Sequence, residues 1–373
     1  MIYHLCQYLD PDKQSLLRLG HAYISFRAGL AFLFAMAIVL FLLPRSYHIF
    51  VRYGWVNRQR SYMIDSSSKE GVPVMGGMHI FIGGMLAFLL FCDLTNRYVH
   101  IALFASVFSF FLGLMDDLLK IRDGNHDGGI SRKGKYLVQA FVGLTVGVLL
   151  YSQWSPHPEL LRGTICLPAI KEPLDVGLLQ IPFVMLVVMF ISNAVNFADG
   201  MDGLATGPSF LTFMGLGIFS YILGHAIWSE HFLYFYFSDM EGTVFLNSSE
   251  LVIICAASMG ALMGFLWYNT YPATIFMGDC GSMYLGGLLA SIFVMLKQEW
   301  VFPILGFLFV LELASVLIQD WLGIGLLGRR IFFRAPYHEN LKYKGYSEPK
   351  IVVRMWILSA AMLALALLTL KIR

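Results

Sequence analysis

Long apolar runs broken by short polar stretches fill this sequence from end to end. Ten can be traced, at about residues 22–44, 75–92, 98–115, 136–152, 181–195, 203–224, 251–268, 284–296, 301–326 and 351–370. Several fall short of the ~20 residues that cross a bilayer unaided, so their ends are expected to shift by several residues. The shortest, 284–296, is Gly-rich and is expected to start deeper, at Gly286-Gly287. The run 301–326 is overlong and carries Glu312, Gly323 and Gly325, which predicts a break or a strong tilt. Between the fourth and fifth runs, Ser155-Pro156-His157-Pro158 with Pro168 and Pro173 predicts turns and a short hairpin. The pattern predicts an all-α polytopic membrane protein with about ten transmembrane helices, residues 1–373 forming one integral-membrane domain without repeats or a low-complexity tail.

Composition agrees. The chain is 58% hydrophobic and 13% charged, with a mean hydropathy of +0.68, which excludes an ordinary soluble domain. Five scattered cysteines, mostly inside apolar runs, form neither a disulfide framework nor a zinc pattern. The polar start (Asp10-Pro-Asp-Lys-Gln) is unlike a cleavable signal peptide.

The net charge of +2 says little, but its distribution decides orientation. Three loops on one side of the ten-span arrangement carry sixteen Lys and Arg residues, against eight on the other side including both termini. The excess of positive charge on one side predicts cytoplasmic basic loops and acids, with both termini outside.

Topology then gathers the acids. Odd-numbered spans end on one face, so Asp116 and Asp117 after the third, Asp199 and Asp202 after the fifth, and Asp279 after the seventh are expected at one cytoplasmic surface. Carboxylates at the membrane edge are expensive unless they have a function or a partner. In Asn193-Ala-Val-Asn196-Phe-Ala-Asp199-Gly-Met-Asp202-Gly203 the polar groups recur every three residues and would share a face if helical. Asp116 and Lys120 form an i,i+4 pair that also fits a plain surface salt bridge. Asp279 sits between glycines, and Mg²⁺ favours one or two carboxylates completed by phosphate oxygens and water. Asn269 adds an amide suited to a pyrophosphate or uridine. Lys69, Lys133 and His338 bracket the acids and suit a substrate phosphate, whereas Arg45, Arg52 and Lys350 suit anionic lipid head groups. With no Ser-His or Cys-His dyad and no P-loop, these residues point to metal-assisted phosphoryl transfer on a lipid.

At these residues the sequence resembles the phospho-N-acetylmuramoyl-pentapeptide transferases, within the polyprenyl-phosphate N-acetylhexosamine-1-phosphate transferase superfamily. The matching stretches are Pro73-Val-Met-Gly-Gly, Asp116-Asp117-x-x-Lys120, Asn193 to Ala205, Phe265 to Pro272, Phe276-Met-Gly-Asp279, Arg330 to Pro336 and the tail from Glu348. The resemblance implies ten helices, usually in a homodimer, and transfer of phospho-N-acetylmuramoyl-pentapeptide from UDP to undecaprenyl phosphate, giving lipid I and UMP. It further implies Asp279 as the Mg²⁺ ligand and Asp116 facing the lipid phosphate, with Asp117, Asp199, Lys69, Lys120, Lys133, Asn193, Asn196, Asn269 and Phe276 around the nucleotide and diphosphate. Asp202 and His338 would be further active-site groups, and Gln319 and Glu312 polar positions of the ninth helix. No nucleic acid is implied.

Two departures stand out. The family usually has three consecutive histidines after Ala-Pro; here the run is His338-Glu339-Asn340. The usual Thr-Pro-Thr is Val72-Pro73-Val74. They leave open a sister enzyme that uses UDP-N-acetylglucosamine. A transporter, the rival from another class, would place its acids near the midplane of broken helices rather than at helix ends.

Overall fold

The computed structural model describes residues 1–10, 19–57, 71–123, 128–167, 170, 172–225, 228 and 246–371. The ten apolar runs correspond to ten helices: α1 Ile24–Arg52, α2 Gly77–Phe91, α3 Arg97–Asp123, α4 Arg132–Tyr151, α5 Gln180–Ala198, α6 Thr206–Leu223, α7 Glu250–Asn269, α8 Asp279–Met295, α9 Phe307–Leu317 and α10 Glu348–Leu368. Among the described residues, eight helical segments are long and apolar enough to cross a bilayer, and α2 and α8 are shorter apolar helices. The molecule is an all-α, multi-pass membrane protein.

The boundaries depart from the apolar runs where polar residues remain helical. α3 continues to Asp123, so Asp116, Asp117 and Lys120 belong to the helix rather than to a loop after it. At ~1.5 Å per residue Asp116 stands roughly 28 Å along the axis from Arg97, close to the ~30 Å depth of a hydrocarbon core. α8 starts at Asp279, not at the Gly286-Gly287 pair. The ninth run does break: a single turn, Phe302–Leu305, ends at Gly306 before α9. α9 then widens into a π-helix over Ile318–Leu326, a geometry that recurs at functional sites. The expected hairpin is present as Thr164–Ile165 paired antiparallel with Leu174–Asp175.

α8 is the hub. Every residue from Cys280 to Met295 is buried, and the helix packs chiefly on α3 and α5, with α2 beside it. Close approach is possible because Gly77 meets Gly281: a Cβ on Gly77 would overlap the Gly281 backbone. α2 and α8 are short because extended chain precedes each of them, and the two extended segments bond to each other. Phe276 N donates to Pro73 O at 2.9 Å, Gly76 N to Phe276 O at 2.8 Å and Gly77 N to Met277 O at 2.8 Å. Non-helical backbone at membrane depth is tolerated only when its polar groups are satisfied in this way.

At the opposite end of the bundle, Arg27 of α1 holds Glu250 of α7 through Nη1 at 3.0 Å and Nη2 at 2.5 Å, and Nη1 also donates to Phe91 O at 3.1 Å. Nearby, His157 is 2% exposed and its Nε2–H donates to Met295 O at 2.7 Å, closing the 152–163 segment over the end of α8. Lys297, itself fully buried, donates to Thr164 O at 2.8 Å. Burial, then the Lys297 charge, lowers the His157 pKa from 6.5 to about 3. The imidazole is therefore neutral when folded, and the unfolded chain binds its proton preferentially between about pH 3 and 6.5. This stability is complete above the unfolded value and is lost as pH falls below it. The expected loss between pH 8 and pH 5 is about 2 kcal/mol, 1.5 pH units at ~1.36 kcal/mol each. Thermal unfolding of detergent-solubilised protein at the two pH values, with His157→Gln as the flattened control, measures it.

Candidate active site

The C-terminal ends of α3 and α5 and the N-terminal ends of α4 and α8 converge on one cluster of charge. Asp116 Oδ2 accepts from Lys120 Nζ at 2.7 Å and from Lys135 Nζ at 2.8 Å. The same two ammonium groups each reach Asp279 Oδ2 at 2.9 Å. Asp279 Oδ1 accepts from the Asn196 amide at 3.0 Å, which also donates to Ser282 Oγ at 2.8 Å. Asp116 Oδ1 accepts from Ile130 N at 2.8 Å, which ties the start of α4 to α3. Asp117 Oδ1 and Oδ2 accept from Asp279 N at 3.1 Å and Cys280 N at 2.9 Å. α4 begins on a Ser131 cap, whose Oγ accepts from Gly134 N at 3.2 Å and sets the helix phase that delivers Lys135.

Asp199 caps α5 on the same side, and its side chain is part-buried. Burial, followed by repulsion from Asp279, Asp117 and Asp202, pushes its carboxyl up to about 8. The shift favours the neutral carboxyl near pH 7.

The acids fit a divalent cation. Asp116, Asp117 and Asp279 each bring one oxygen within 4.8 Å of the others. Three carboxyl groups face two ammonium groups, Lys120 and Lys135, so the cluster holds more acid than base. Hard oxygen donors with a charge deficit suit Mg²⁺, which takes one or two carboxylates and completes its shell with phosphate and water.

Not every residue singled out in the sequence joins this cluster. Lys133 is exposed, and Lys135 takes the place expected of it. Two helical positions differ by about 200° at 3.6 residues per turn, so only one of the pair can face the acids. Asp199 and Asp202 do not share a helical face, because α5 ends at Ala198 and the chain turns through Gly203 at φ +76°. Asp202 is 4% exposed, and its Oδ2 accepts from Ala273 N at 3.0 Å while its own N–H donates to Glu348 Oε1 at 2.9 Å. Asn269 is similarly engaged: its Oδ1 accepts from Gly203 N and Thr206 Oγ1, and its Nδ2 donates to Ile275 O. The Asn193 amide donates to Gln139 Oε1 and Met189 O, one turn deeper than Asn196. Gln319 Oε1 accepts from Ile331 N and Phe332 N, pinning the last loop to the π-helical turn. Phe276 contributes backbone bonds to the Pro73–Gly77 segment, as described above. Lys69 lies outside the described residues.

His338 is placed by the fold beside the acids. Its Nδ1 lies 3.0 Å from Glu312 Oε2, which also accepts from His338 N at 3.2 Å. The ring rests on Gly200, where any Cβ would overlap it, next to Asp199. Glu339 stands 4.0 Å from His338 Nε2 and 3.9 Å from Arg334 Nη1.

A family model described as Glycosyl transferase family 4 matches residues 99–297, the stretch that carries all the carboxylates of the cluster. Phospho-N-acetylmuramoyl-pentapeptide-transferase of Rickettsia bellii (strain OSU 85-389) is 38% identical over 356 residues, covering 94% of each chain. That of Rickettsia rickettsii (strain Sheila Smith) is 39% identical over 356 residues, again covering 94% of each. The chain belongs to the phospho-N-acetylmuramoyl-pentapeptide-transferase family. Membership makes it a multi-pass membrane transferase of phosphosugars, consistent with a cluster built for charge neutralisation.

Lys135→Ala is expected to lower kcat/KM by ~10²-fold, the scale of losing one charge-stabilising donor. Lys133→Ala, two residues away, is expected to change it by less than about twofold, as for an exposed charge. Steady-state transferase assays on the two purified variants measure the contrast.

Proposed function

We propose that this protein transfers phospho-N-acetylmuramoyl-pentapeptide from its UDP conjugate to undecaprenyl phosphate, giving lipid I and UMP at the cytoplasmic face of the bacterial inner membrane. The observation that carries this reading is the meeting of Asp116, Asp279, Lys120 and Lys135 at one membrane-edge cluster, in a chain whose relatives bear that enzyme name.

In the proposed reaction an oxygen of the lipid phosphate attacks the sugar-linked phosphorus, the bond from that phosphorus to the bridging oxygen breaks, and UMP leaves. A phosphate monoester is largely dianionic at pH 7, so Asp116 chiefly orients the nucleophile rather than deprotonating it. Asp279 would hold Mg²⁺ with Asp116 within reach; when bound, the ion neutralises charge on the diphosphate. Lys120 and Lys135, held between Asp116 and Asp279, provide positive charge for the phosphate oxygens, and Asn196 fixes the Asp279 carboxylate. His338, held by Glu312 over Gly200, faces the sugar side, with Glu339 at its rim. A homodimer is part of the same proposal.

The test is UMP release from membranes supplied with undecaprenyl phosphate and one UDP-sugar at a time. Turnover is expected with UDP-N-acetylmuramoyl-pentapeptide and not with UDP-N-acetylglucosamine; the reverse preference would establish the sister activity instead. Asp279→Asn is expected to remove turnover, and Mg²⁺-dependent activity surviving in that variant would rule out its assignment.

A further inference from the structure

Helix α8 carries Asp279 as its first residue, and the residue before it cannot cap it. Gly278 occupies the N-cap position at φ +76° with no side chain to accept a hydrogen bond. The free N–H groups at a helix start need acceptors, usually from a Ser, Thr, Asp or Asn at the cap itself. Here the acceptor comes from another helix. Asp117 of α3 takes Asp279 N at 3.1 Å on Oδ1 and Cys280 N at 2.9 Å on Oδ2. The carboxylate fills the space a cap side chain would need, because a Cβ on Gly278 would come 2.7 Å from Asp117 Oδ2. Asp117 is 6% exposed, whereas the Asp279 side chain is 17% exposed.

We infer that Asp117 is a positioning residue: it caps α8 across the helix interface and thereby fixes where Asp279 presents its carboxylate, instead of binding the cation or the substrate itself. Each of its oxygens already accepts a main-chain N–H. The negative charge is also favoured at the positive end of the α8 dipole. Its neighbour Asp116 points the other way, into the lysines, so consecutive acids on one helix divide the work. This inference rests on the proposed role of Asp279.

Two measurements separate the cap from a ligand. The first is hydrogen exchange at the Asp279 and Cys280 amides of the full-length protein in detergent, without nucleotide. Asp117→Ala should expose both amides and raise their exchange by tenfold or more, about the loss of one cap; Asp117→Asn, which keeps one carbonyl oxygen, should protect one of them. The second is binding of Mn²⁺ alone, followed by the spin-resonance signal of the free ion. Asp117→Asn should weaken it by ~10-fold, the lower end for an outer partner of a metal ligand, while Asp279→Asn abolishes it. Unchanged amide exchange in Asp117→Ala, or a loss of Mn²⁺ in Asp117→Asn as complete as in Asp279→Asn, overturns the inference. If Asp279→Asn retains Mn²⁺ the role of Asp279 fails, and the exchange data still judge the cap.

Discussion

A carboxylate at the edge of the hydrocarbon layer persists only when its oxygens are occupied, and this constraint organises the protein around α3 and α8. Asp116 draws in Lys120 from its own helix, Lys135 from α4 and the Ile130 amide from the connecting segment. Asp117 draws in the start of α8. Four chain segments are thus held together by satisfying two adjacent acids. The same bonds that make the charge tolerable set the geometry of the cluster, so stability and chemistry are not independent here.

The backbone obeys a parallel rule. α2 and α8 would be too short to span alone, yet the extended segments before them close on each other through Pro73, Gly76, Phe276 and Met277. That pairing lets non-helical chain enter the membrane zone without orphaned amides. It also delivers Asp279 at the first turn of a helix whose remaining length is wholly buried. The Gly77–Gly281 approach is what allows the two segments to come within bonding distance.

Much of this was legible in the sequence. Alternating spans predicted that acids over 160 residues apart would meet, because a chain that reverses at each crossing has little freedom in where odd-numbered spans end. Helix phase was less legible, as Lys135 shows. Its signal was nevertheless present: the buried face of α4, through Gln139, Val142, Gly143 and Val146, extends back by one turn to position 135 and not to 133. What no pattern disclosed is the division between polar residues that face the cluster and those spent on loops. Asp202, Asn269 and Gln319 look in sequence like Asp199, Asn196 and Lys120. Only their partners, main-chain groups at Ala273, Gly203, Ile275, Ile331 and Phe332, distinguish them.

Those loop bonds have a purpose of their own. Asp202 binds the chain before α8 and, through its amide, the start of α10 at Glu348. Glu348 lies 3.9 Å from Lys342 on the short helix Tyr337–Tyr343, which carries His338. Glu312 grips the same helix from α9. The histidine is therefore fixed from both sides, by Glu312 on one and by the chain of contacts from Asp202 through Glu348 to Lys342 on the other. In this frame the place of the His338 imidazole is set by Glu312 and by the surface of Gly200, and the bonds that hold it use neither the Glu339 nor the Asn340 side chain. Glu339 stands apart from the acid and lysine cluster, 3.9 Å from Arg334 Nη1 and 4.0 Å from His338 Nε2, so a change of charge there leaves the bonds of that cluster as they are.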